Sequence, residues 1–143
     1  MASIDEHLQS PEISIDEHVR RTQVALGTAV AAKKAIYLDM RYWILLRSAA
    51  SGTGSQEIQE LLRLLRDGVA RGHFFCPISE SIFDELLKQS DRISRKATAT
   101  LIDELSTGVT LIVPEQRIAT ELACFLHKCS GIYDTHPLNH LVW

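Results

Sequence analysis

The stretch AIYLDMRYWILLRSAA, residues 35–50, decides how this chain is read. Its first part is a short apolar run that closes on Asp39, the pattern of a buried strand, and from Arg41 onward the character turns helical. An acid among Ile36, Tyr37, Leu38 and Met40 needs a metal, a hydrogen-bond network or a helix N-terminus to satisfy it, because an unpaired buried carboxylate is costly. The plain alternative for Asp39 is a cap on the helix that follows. Two later segments share the apolar character, HFFCPIS at 73–79 and VTLIV at 109–113.

Helical stripes separate these runs. After the loop SGTGS (51–55), Ile58, Leu61, Leu62, Leu65 and Val69 recur at 3.6-residue spacing. Ser79 is placed to cap a helix starting at Glu80, with Ile78 and Phe83 as its hydrophobic staple. Ile93, Ala97, Leu101 and Leu105 mark the next helix, and Gly108 suits its left-handed exit. Pro114 opens the last one, with Ile118, Leu122, Phe125 and Cys129 in register. Three uniformly apolar strands between helices predict an α/β fold, a parallel three-stranded sheet core flanked by helices, with Asp39 central in it. Ligands of such sheets sit beyond the carboxyl ends of the strands, so the polar residues there are the candidates for function.

Residues 1–34 have a different character and are expected to form an N-terminal helical extension to a domain over 35–143. SIDEH occurs at 3–7 and again at 14–18, each time with Ser three residues before Glu, the sign of a capping box. The second copy opens a helix predicted over 15–32, with Ile15, Val19, Leu26 and Val30 on one face. That face needs cover, from the domain itself, from a protein partner or from a homodimer.

Composition narrows the classes. With 45% hydrophobic and 23% charged residues over 143 positions, the chain reads as an ordinary globular domain. A net charge of -3 removes the footprint of bulk electrostatic binding to nucleic acid, so any such chemistry must be local. The three cysteines, with no secretory signal, suit a reducing cytoplasm without disulfides. Every apolar stretch falls far short of the ~20 residues a spanning helix needs, so no membrane association is expected.

A second acidic site lies in SESIFDELLKQ, residues 79–89. On a helical wheel Ile82, Phe83, Leu86 and Leu87 form an apolar face that Asp84 and Glu85 flank at equal angles, and periodicity does not choose between the two acids. The runs AIYLDMRYWILL and FFCPISESIFDELLKQ, in this order around a helical hairpin, resemble the start of a PIN-like nuclease domain. Such domains open with an apolar strand ending in Asp and carry a second acid in a Ser to Glu-Leu motif after the second strand. The resemblance implies Asp39 and Glu85 as catalytic and metal-holding acids and Ser79 as the hydroxyl that opens the helix. It implies Mg²⁺ or Mn²⁺ as cofactor and RNA as substrate, in a family whose prokaryotic members include toxins.

Two departures qualify it. Arg41 stands where the family often has Asn or Ser, bringing positive charge to the metal site and placing Arg41 with Ser79 on the substrate side. The family's third acid lies in a later helix followed by further strands, and here no strand-like segment follows Val113 before Trp143. The domain is therefore expected to be truncated, with Asp134 the nearest substitute ligand. The functional expectation is a metal-dependent ribonuclease, or a truncated derivative with weak or no activity. The alternative is a catalytically inert interaction module on the same scaffold.

Competing sites carry less. Cys124, His127, Cys129, His136 and His140 supply zinc-ligand types, yet Cys124 and Cys129 fall on one predicted helix, where Cys129 joins the apolar stripe as a small hydrophobe. SGTGS follows a helical segment and lacks the Lys of a phosphate-binding loop. Arg63, Arg66, Arg92, Arg95 and Lys96 read as solvated helix faces.

Overall fold

The computed structural model describes Leu8 and residues 12–132. The elements are α1 (Ile15–Val30), β1 (Lys34–Ala35), α2 (Met40–Ala50), α3 (Gln56–Ala70), β2 (Phe74–Phe75), α4 (Glu80–Lys88), α5 (Arg92–Ser106) and α6 (Pro114–Cys129). They divide into two compact units, one of Lys33–Leu111 and one of Met1–Ala32 with Ile112–Trp143.

The unit Lys33–Leu111 holds the core. Trp43 and Leu46 of α2, Leu62 and Leu65 of α3, Ile82 and Leu86 of α4, and Leu101, Ile102 and Leu105 of α5 pack into one buried cluster with Leu38, Cys76 and Ile78. Helix α2 packs most heavily on α3 and next on α5, and it also meets α4. Sequence spacing accounts for α3, whose stripe faces inward at Leu62 and Leu65. A Cβ at Gly68 would lie 2.2 Å from Phe74 Cε1, so the bare backbone there is what lets the Phe74 ring close onto α3.

The expected three-stranded parallel sheet is not what forms. Helix dominates, and the sheet has two strands of two residues, parallel, in the register Lys34↔Phe74 and Ala35↔Phe75. The third apolar run contributes an isolated parallel bridge, Ile78↔Thr110. Asp39 is not central in a sheet: it lies four residues beyond Ala35, at the start of α2, and the bridge to the third apolar run is made by Ile78, three residues after β2.

The reason lies in where the backbone groups go. The ladder's last bond is Ile36 N to Phe75 O at 2.9 Å. Beyond it, Leu38 O accepts the Trp43 indole N–H at 3.1 Å. Cys76 N donates to Leu105 O, at the end of α5, at 2.9 Å. Pro77 has no N–H to donate. Helix ends and an indole thus take the groups that a longer ladder would have used, and β-branched composition does not outweigh that competition.

Other expectations shift by a face or a turn. On α4 only Ile82 and Leu86 are buried, while Phe83 and Leu87 are exposed, so Phe83 does not staple against buried Ile78. On α5 the buried face is Thr98, Leu101, Ile102, Leu105 and Ser106, and Ile93 is 83% exposed. Its left-handed exit begins one residue early, at Thr107 with φ 54°, and continues through Gly108.

In the other unit, α1 starts as the second SIDEH motif indicates. Ser14 Oγ accepts from Glu17 N at 3.2 Å. The Glu17 carboxylate turns to Arg20 and Arg21, each at 2.7 Å. Those two guanidiniums hold its pKa down to about 2. The first SIDEH copy lies outside the described residues. Helix α6 begins with Pro114 at its first turn, and Ser130 N caps its end on Leu126 O at 3.0 Å. Among the described residues no helix is long and apolar enough to cross a membrane.

Candidate functional site

Two helix starts build the site. Asp39 is the N-cap of α2: its Oδ1 accepts from Met40 N at 2.8 Å, and its carbonyl takes the first helical bond, from Tyr42 N at 2.9 Å. Ser79 is the N-cap of α4, with Oγ accepting from Ile82 N at 3.4 Å. The hydroxyls of Tyr37 and Ser79 lie 2.8 Å apart, and Ser79 Oγ is also 2.8 Å from Ser81 Oγ. This short hydroxyl chain ties the segment leading into α2 to the start of α4.

Beside it an open depression of about 500 Å³ is lined by Asp39, Met40, Arg41, Ile44, Leu45 and Glu85. Of the acids that the helical wheel left equivalent, Glu85 faces this depression with Asp39, and Asp84 is not among its lining residues. Arg41 is a further residue of the same lining. Ser79 is not part of the lining and acts as a cap within the hydroxyl chain. Gln89 Nε2 reaches Sδ of the lining residue Met40 at 3.5 Å, while Gln89 Oε1 is buried with no hydrogen-bond partner among the described residues.

The donor set sets limits on what could bind. Asp39 has one oxygen committed to its cap, and among the described residues no three His, Cys, Asp or Glu side chains gather to hold a metal. Two carboxylates fit a hard cation that keeps most of its own waters, as Mg²⁺ does, and they do not fit a preformed cage. Asp134, His136 and His140 lie outside the described residues, as does the tail from Tyr133. Cys124 and Cys129 are free, the first half-buried and the second exposed, so Cys129 does not serve as a packed hydrophobe here. The third cysteine, Cys76, is fully buried, and burial pushes its thiol up to about 11.

The basic residues are largely engaged. Arg66 holds Glu104 of α5 through bonds of 2.6 and 2.9 Å, and Arg63 pairs with Glu60 at 2.6 Å. Arg95 donates to Gln89 O at 3.3 Å, closing the end of α4. Sequence reasoning missed the apolar side of the depression, Ile44 and Leu45, and the Tyr37 to Ser79 link. A signal for Tyr37 existed, since it stands two residues before Asp39 and extended backbone repeats its faces with period two. No family model, no curated protein and no solved structure matches this chain.

Proposed function

We propose that the chain is a derivative of a metal-dependent ribonuclease of the PIN-like kind, in which Asp39 and Glu85 share Mg²⁺ or Mn²⁺ and RNA cleavage is weak or absent. One observation carries the reading: Asp39 at the start of α2 and Glu85 of α4 line one open depression together with Arg41. The proposal rests on that site and not on a sheet.

Asp39 offers its free oxygen and Glu85 its carboxylate, and waters or substrate phosphates complete the shell of such an ion. Bound there, the metal would polarise a phosphate and supply an activated water. Arg41 holds a phosphate by charge, and the wall of Ile44 and Leu45 gives a sugar or base an apolar surface. With two acids, the positioning of water is incomplete, and that is why slow turnover is expected. A cytoplasmic location goes with this reading, since three free thiols suit a reducing compartment.

Thermal melts with and without Mn²⁺ test it. A small metal-linked rise in melting temperature is expected in the parent, abolished by Asp39→Asn and by Glu85→Gln and retained in Asp84→Asn. No shift in the parent, or a shift lost through Asp84→Asn, defeats the proposal. A second reading, an inert interaction module, is favoured by exposed Phe83 and Leu87, one turn apart on α4, and by the exposed Ile15 and Val19 of α1 as a partner surface. Absence of RNA cleavage at saturating Mn²⁺ together with an unchanged melt selects it.

A further inference from the structure

Helix α6 carries an apolar face that is exposed among the described residues. None of its 16 residues is buried, and Ile118, Leu122 and Phe125 are 61%, 53% and 61% exposed. From Ile118 through Leu122 and Phe125 to Cys129 the steps are four, three and four residues, the spacing of a two-helix seam. A helix with such a stripe ordinarily buries it.

The charges beside the seam select the partner and its direction. Glu121 and Lys128 flank the stripe on one side, seven residues apart. In a parallel pair this flank would meet the side of the second helix that carries Ala119 and Leu126, where Glu121 and Lys128 find no counter-charge. In an antiparallel pair it meets itself reversed, so Glu121 of each copy faces Lys128 of the other. The same alignment sets Leu122 against Phe125 and Ile118 against Cys129 of the second copy. Glu121 also contacts Arg117 of its own helix at 3.2 Å, an exposed pair that holds it only weakly.

We propose that a second copy of this chain covers α6, helix against helix and antiparallel, in a two-fold symmetric dimer. The interface is independent of the metal site, so either proposal can fail alone.

Sedimentation of the full chain over a concentration series up to the high-micromolar range should show a monomer–dimer equilibrium. Phe125→Glu should abolish the dimer with the circular dichroism spectrum unchanged, as expected for an exposed position. Lys128→Glu should weaken association several-fold, and adding Glu121→Lys should restore it. In a Cys124→Ser background, mild oxidation should link Ile118→Cys to Cys129 of the second copy and leave the protein with Ile118 intact unlinked. A parent that stays monomeric throughout overturns the proposal. So does a dimer that survives Phe125→Glu, which would place the interface elsewhere, on α1 for example. A direct link between the two Cys129 thiols, the mark of a parallel pair, overturns it as well.

Discussion

Helices α3 and α6 are 15 and 16 residues long, and each carries leucines at helical spacing. In α3, Leu62, Leu65 and Gly68 are buried; in α6 no residue is. The two sequences make the same local statement, that one face wants cover, and the cover comes from elsewhere. For α3 it comes from α2, from α5 and from the chain that returns as β2, whose Phe74 ring seats over Gly68. An amphipathic period therefore predicts a helix and its sticky side, while the identity of the other surface is a tertiary matter.

That contrast is open to attack, most forcefully in the core. Trp43→Ala should cost about 3–5 kcal/mol and Leu65→Ala about 2–5 kcal/mol, because each leaves a cavity among buried neighbours. Leu122→Ala should stay within about 0.5 kcal/mol at a concentration where the chain is monomeric. Urea denaturation of the three variants gives the comparison, and a large cost at Leu122 would mean that α6 is covered within its own chain.

Gly68→Ala probes the close approach that distinguishes α3. A methyl would collide with the Phe74 ring, and overpacking of this kind costs roughly 1–3 kcal/mol. Alanine's better helix propensity returns up to about 1 kcal/mol. Net destabilisation in the same assay is the expected outcome. A more stable variant would show that the ring moves aside without loss.

The smallest effect lies on α1. The pKa of Glu17 sits below its ordinary value, so its contribution is present above pH 4.5 and is lost as pH falls toward 2. A carbon-detected NMR titration should place the Glu17 midpoint near 2, with Arg20→Gln and Arg21→Gln each moving it upward. A midpoint at 4.5 in the parent would show that salt and solvent screen both pairs.

Much of the helical layout was legible along the chain. Ser14, Asp39 and Ser79 each cap a helix, and Pro114 opens one, because caps are local chemistry between a side chain and the next few amides. The plain alternative for Asp39, a helix cap, is thus part of its structural role. The sheet was not legible. Residues 35–39, 73–78 and 109–113 have strand composition, but pairing needs free backbone groups on both sides, and Trp43, Leu105 and Pro77 remove them.

The candidate site divides along the same line. By itself the sequence determined that Asp39 follows an apolar run and that two acids flank the apolar face of α4, since both facts are matters of order and period. Which of those acids lines the depression is set by the tertiary structure, not by helical period. Glu85 lines the depression with Asp39 and Arg41, and Asp84 is not among its lining residues. Helix period is a local property, whereas the azimuth of one helix against another is set by packing of Ile82 and Leu86 into a core that no short stretch of sequence contains.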